Sequence, residues 1–269
     1  MITEQQKVIT ELTRIFNIFE TSEGEIRPHF ILTGSSGSGK SHIIKTLTET
    51  LDLNYMEINA AQLTKEGTSG NSLSKAMSPL INNQGQLTVC FVDEFDKLFI
   101  SGNSNCQLAH ETTHGVQNEF LKVLESDTAS VFHDFGKYIN INVDNVLFVF
   151  AGAFNGEENI TLDKLRDFGV KTEFLGRVGL VFNTEKLSLE SLLQILHNSS
   201  LLNMYLTLFP DVNKEDALKA LGQYVTKNYE KNTLGIRMIN TLIHQYFIKG
   251  GKLDVETSKK TTFQKTLKI

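Results

Sequence analysis

The chain reads as an α/β protein in which a parallel sheet is sandwiched by helices and followed by a small all-helical region. Three observations predict this. Short apolar runs of strand length alternate with amphipathic helical segments as far as Phe182, a glycine-rich loop joins the first such run to a helix, and beyond Phe182 the apolar spacing is helical throughout.

The opening segment, Thr3 to Phe19, sets Val8, Ile9, Leu12, Ile15, Phe16 and Phe19 on one helical face. His29-Phe-Ile-Leu-Thr33 is a buried strand by length and content, and Ser41 to Glu49 a helix with Ile43, Ile44 and Leu47 at helical spacing. Leu53 to Ile58 and Leu87 to Val92 read as further buried strands, Val116 to Leu124 as an amphipathic helix, and Val146 to Phe150 and Val178 to Phe182 as the last strands. Helices are expected at Ser188 to Phe209, Lys214 to Tyr229 and Leu234 to Ile248. The boundary falls near Asn183, so the expected domains are residues 1–183 and 184–269.

Between the first strand and its helix stands Gly34-Ser35-Ser36-Gly37-Ser38-Gly39-Lys40-Ser41, which completes G-x-x-x-x-G-K-[ST]. The glycines let the backbone curl until several N–H groups point inward, where they and the next helix's N-terminus attract phosphate oxygens. Lys40 is then expected to reach the β- and γ-phosphates of a nucleotide and Ser41 to offer its hydroxyl to Mg²⁺, an ion that keeps several of its waters. Val89-Cys-Phe-Val-Asp93-Glu94 puts two carboxylates at the carboxyl end of a buried strand, the edge where open α/β sheets bind ligands. Asp93 is expected to hold Mg²⁺ through water, and Glu94 to orient or deprotonate the attacking water, because phosphoryl transfer depends on positioning and charge neutralisation.

Composition narrows the classes. A net charge of −5 over 269 residues gives no basic footprint of a nonspecific nucleic-acid binder. Two cysteines, Cys90 in an apolar run and Cys106 in a polar one, support neither a disulfide framework nor a cysteine zinc site. Without a signal peptide or long apolar span, a cytoplasmic protein with no membrane partner is expected.

Several ordered boxes resemble the AAA+ ATPases and, within them, the Clp/HslU unfoldases of the ClpX type. Ile2-Thr-Glu-Gln-Gln-Lys7 is similar to the family's opening box, Phe91-Val-Asp-Glu-Phe-Asp-Lys-Leu98 to its extended Walker B segment, and Gly115 to Glu125 to its G-V-Q-Q-x-L-L-K-L-x-E helix. Gly152-Ala-Phe154 is similar to its G-A-F, Glu173-Phe-Leu-Gly-Arg177 to its E-F-I-G-R, and Leu234-Gly-Ile-Arg237 to its G-A-R. The resemblance implies ATP hydrolysis in a ring, expected to be a homohexamer. It makes Arg177 the arginine finger reaching a neighbouring subunit's γ-phosphate, and Arg237 the sensor 2 residue touching its own chain's nucleotide. A first sensor is not evident, since Ala151-Gly152 stands at its place and Asn155 falls late.

Departures from that family shape the expected function. Gly67-Thr68-Ser69-Gly70 replaces the aromatic pore loop, and only Asn155 to Thr172 fills the interval that carries the ClpP-docking loop. The chain opens at the ATPase box, so the amino-terminal zinc module is expected to be missing, as is the HslU intermediate domain. The expectation is a remodeller of a protein or protein complex that works without a ClpP-type peptidase. A motor or loader on DNA or RNA, with Lys65 and Lys137 as compatible cations, and an ATP-assembled scaffold are the alternatives; substrate and adaptor stay unassigned.

One motif competes. His110-Glu111-Thr112-Thr113-His114 fits H-E-x-x-H, with His133 or Asp134 as a conceivable third zinc ligand. Two β-branched residues inside it and Gly115 directly after it speak against a zinc helix, and Thr112 or Thr113 reads better as a cap for the helix at Val116.

Overall fold

The computed structural model describes residues 3–67, 70–99, 107–133 and 136–253, with the backbone alone described at 3 and at 107–114. Thr68, Ser69, Cys106, Asp134 and Phe135 lie outside the described residues, as do the side chains of His110, Glu111 and His114. Contacts divide the chain into two units, one of residues 5–34 and 39–184, the other of residues 1–4, 35–38 and 185–269.

The first unit opens with helix α1 (Gln6–Thr21), strand β1 (Phe30–Thr33), helix α2 (Lys40–Thr50) and strand β2 (Asn54–Asn59). A short helix α3 (Leu73–Ala76), strand β3 (Thr88–Asp93) and the long helix α4 (Gln107–Glu125) follow. Next come strands β4 (Thr128–His133), β5 (Lys137–Asn142) and β6 (Val146–Gly152), then helices α5 (Leu162–Asp167) and α6 (Thr172–Arg177) and strand β7 (Leu180–Asn183). Among the described residues five strands form one parallel sheet in the order β2-β3-β6-β1-β7. The chain leaves β1 for the far edge at β2 and returns later to flank it with β6 and β7, so the strand order reverses at β1, where such sheets open a ligand crevice.

Continuous apolar runs become central strands because both faces are covered. Ile31, Cys90, Val92, Phe148 and Phe150 enter one core with α3 to α6, while the alternate residues Phe30, Leu32, Val89, Phe91, Leu147 and Val149 enter another with Val8, Leu12, Phe16 and Phe19 of α1 and Ile43, Ile44 and Leu47 of α2. Phe95, Phe120, Phe150 and Phe174 interlock on the first face, with Phe95–Phe150 centroids 4.8 Å apart and Phe95–Phe174 5.2 Å. Phe95 directly follows Glu94, and Phe174 lies one turn before Arg177, so one aromatic cluster anchors both segments that carry candidate site residues.

Two expectations change here. β4 and β5 pair as an antiparallel hairpin that the apolar pattern did not predict: its strands are half exposed, with only Ala129, Val131 and Ile141 fully inside. Helix α4 is helical from Gln107, so neither Thr112 nor Thr113 caps it, and the backbone of the H-E-x-x-H stretch is helical. Among the described residues no three His, Cys, Asp or Glu side chains group as metal ligands.

At the start of β1, His29 replaces a backbone acceptor: its Nδ1 accepts from Phe148 N at 3.1 Å. Burial, with the Arg27 charge adding to it, lowers the imidazole to about 4. Between pH 6.5 and 4 the unfolded chain therefore binds the extra proton, so stability is full above this window and falls as pH drops through it. Urea unfolding should show wild type losing about 2 kcal/mol more than His29→Gln between pH 7 and pH 5. Equal losses would refute a neutral folded His29.

The second unit carries helices α7 (Leu189–His197), α8 (Ser200–Leu208), α9 (Lys214–Asn228) and α10 (Ile236–Ile248) around Leu192, Leu196, Leu221, Val225, Ile239 and Ile243. The single helix expected over Ser188 to Phe209 is two, because Ser199 caps α8 by accepting from Leu202 N at 3.2 Å. Glu4 accepts from Ser188 N and the Ser191 hydroxyl at the start of α7. Burial raises that carboxyl, but the serine hydrogen bonds outweigh it and hold it at about 2. Among the described residues no helix is long and apolar enough to cross a membrane.

Candidate functional site

The site grows from the carboxyl ends of β1 and β3. At Gly34 and Gly37 the chain adopts φ of +138° and +74°, a region costly for other residues. Space closes the case: a Cβ at Gly34 would overlap the Thr184 side chain, and one at Gly37 the Leu234 carbonyl. Gly39, also at positive φ, stands before α2 and offers no side-chain cap, so no side-chain oxygen covers the helix's N-terminus, the end that attracts anions.

Lys40 begins α2, is buried, and its ammonium donates to the Gly34 carbonyl at 2.6 Å, closing the loop upon itself. Ser41 follows on the same first turn. Asp93 ends β3 and accepts from Glu94 N at 2.8 Å. Burial raises the Asp93 carboxyl, the Glu94 N–H bond and the Lys40 charge oppose that, and the Glu57 and Glu94 charges add to it. The Lys40 charge thus acts on the β3 carboxylate, which links the two sequence motifs electrostatically. Glu94 sits exposed at φ +55° in the turn after the strand, its backbone held by the buried Phe95 ring that follows.

The middle of the loop, Ser35 to Ser38, groups with the second unit. There Ile236 N donates to the Gly37 carbonyl at 3.2 Å, and Arg237 Nη1 donates to Ser36 Oγ at 3.1 Å. Arg177 is directed elsewhere: its Nη2 donates to Glu125 Oε1 at 2.8 Å. Asn155 lies in a turn beyond β6, at φ +58°.

Sequence reasoning missed the supports beneath the loop. Asn183, read only as a boundary, accepts from the Thr33 hydroxyl at 2.7 Å and from Ile160 N at 2.7 Å, and donates to the Ile160 carbonyl at 3.0 Å. The buried Thr184 hydroxyl donates to the Thr33 carbonyl at 2.9 Å, which fixes the strand end from which Gly34 departs. The available signal was a polar pair, Asn183-Thr184, closing an apolar strand. Glu57 was missed too; Lys45 and the Tyr55 hydroxyl hold its carboxylate, whose charge acts on Asp93.

The donor set fits a nucleoside triphosphate with a hard cation: inward backbone curvature, an uncapped helix N-terminus, one ammonium, a hydroxyl and a strand-end carboxylate. A parallel sheet with this loop after β1 and two acids after β3 is the arrangement of the P-loop nucleotide-binding folds. Residues 30–163 match the AAA family, described as the ATPase family associated with various cellular activities. The chain belongs to the AAA+ ATPases. It is similar to the ATP-dependent Clp protease ATP-binding subunit ClpX 2 of Wolinella succinogenes, with 31% identity over 257 aligned residues that cover 81% of this chain and 64% of that protein. The chain therefore spans less than two thirds of that relative's length.

Proposed function

We propose that the chain is the ATP-hydrolysing subunit of a ClpX-like ring, a homohexamer in the cytoplasm, that remodels a protein or protein complex without a partner peptidase. In this reading residues 1–183 bind nucleotide and residues 184–269 form a helical lid. Gly34 to Gly39 cradle the phosphates, Lys40 neutralises the outer ones, Glu94 orients the attacking water, and Arg237 senses the nucleotide on its own chain. Mg²⁺, held by Ser41 and through water by Asp93, supplies charge neutralisation when bound.

The observation that carries the ring is the unequal placement of the two arginines. Arg237 bonds to Ser36 of its own loop, whereas Arg177 bonds to Glu125. An arginine that leaves its own loop unserved is available to another subunit's phosphate, as a head-to-tail ring requires. Two further features support the lack of a peptidase partner and of a strong polypeptide grip. The interval from Asn155 to Thr172 holds only short loops and the six-residue helix α5, and Gly67-Thr68-Ser69-Gly70 contains no aromatic ring. Burying such a ring contributes roughly 2 kcal/mol that Thr and Ser cannot supply.

The test is ATPase stimulation. An unfolded polypeptide should raise turnover severalfold and single-stranded DNA or RNA should not, while a stably folded tagged domain should survive incubation with the ring, ATP and a ClpP-type peptidase. Stimulation by nucleic acid alone would make the chain a nucleic-acid motor. Processive degradation of the tagged domain would overturn the peptidase-free reading.

A further inference from the structure

Glu125 is the last residue of α4 and Arg177 the last of α6. The unpaired carbonyls at a helix C-terminus favour a cation and repel a carboxylate, so Arg177 suits its position and Glu125 does not. Its own helix gives no reason for Glu125, but its partner does: the carboxylate accepts from Arg177 at 2.8 Å, with the two side chains 46% and 51% exposed. So exposed a pair contributes little to folding.

Its effect is on direction. A guanidinium carries five N–H donors in a rigid plane, and the bond to Glu125 engages one of its nitrogens, leaving the rest of the fork for an anion. Both ends of the pair are mounted on one core, since Phe174 of α6 and Phe120 of α4 pack on Phe150 at 5.0 and 5.3 Å. A long, flexible arginine would otherwise lose its rotamer freedom on reaching the transition state, and holding it beforehand removes that cost from the barrier.

We infer that Glu125 is a positioning residue, which presents the Arg177 guanidinium to the γ-phosphate bound by the neighbouring subunit without touching the phosphate itself. The inference rests on the reading of Arg177 as an arginine acting between subunits.

The test puts the lesion on the donor side only. Arg177→Ala subunits, which keep an intact loop, are mixed either with Lys40→Ala subunits or with subunits carrying both Lys40→Ala and Glu125→Ala. Turnover in the second mixture should be about tenfold lower at an unchanged KM for ATP, and replacing Glu125→Ala by Glu125→Asp in the donor should restore part of it. Thermal melting checks that each donor is folded. Equal turnover in the two mixtures, or a deficit that appears as a raised KM, would overturn the role of Glu125 and leave that of Arg177 standing. An Arg177→Ala ring with full activity by itself would overturn both.

Discussion

Lys40→Ala should abolish ATP binding, whereas Glu94→Gln should bind ATP as wild type does and lose turnover by at least about a hundredfold. The difference follows from where the two side chains sit. Lys40 is buried against the loop, its ammonium on the Gly34 carbonyl and its charge acting on Asp93, so its loss removes the cation from the phosphate cradle itself. Glu94 is exposed beyond the strand end and touches no part of the loop's own hydrogen bonding. Its amide analogue keeps the shape and removes only the charge that, in the proposed role, orients or deprotonates the attacking water. Titration with a fluorescent ATP analogue and a steady-state phosphate assay separate the two. Equal loss of affinity in both variants would sink the assignment of binding to one and hydrolysis to the other.

The second large effect is complementation. Arg177→Ala and Lys40→Ala subunits should each be inactive alone, because on the proposed roles one lacks the finger and the other the cradle's cation. Mixed in equal amounts in a closed ring, half of the sites have a working loop and half of those receive an intact Arg177 from next door, so about a quarter of wild-type turnover should return. The observed pairing of Arg177 with Glu125, and of Arg237 with Ser36, is what makes this asymmetric recovery expected. No recovery in mixed rings of confirmed assembly would mean that Arg177 does not serve a neighbouring subunit's site. A protein that hydrolyses ATP at full rate as a monomer would do the same.

Much of the candidate site was legible because its residues are local in sequence. The proposed phosphate cradle is one uninterrupted run, Gly34 to Ser41, and the acids Asp93 and Glu94 are adjacent at the end of a strand whose apolar content marks it as buried. The strands of the parallel sheet were legible for the same reason, since burial on both faces leaves no polar residue in Phe30 to Leu32 or Val89 to Val92. The β4–β5 hairpin escaped because half of each strand faces solvent, so Thr128, Ser130 and Asn140 dilute the apolar signal. The true start of α4 escaped because Thr112, Thr113 and Gly115 carry weak helix propensity, which tertiary context overrides.

By itself, then, the sequence determined which backbone could curl around a phosphate, which carboxylates close a buried strand, and which segments bury a helical face; each depends on residues near one another along the chain. Only the tertiary structure decided the strand order that sets β1 between β6 and β7, the action of the Lys40 charge on Asp93, the Asn183 buttress under Thr33, and the partner of Arg177. Thr33 and Asn183 are 150 residues apart and Glu125 and Arg177 are 52 apart. Pairings at such separations leave no periodic trace, because what selects them is the closing of the two cores on the sheet rather than any local preference of the residues that meet.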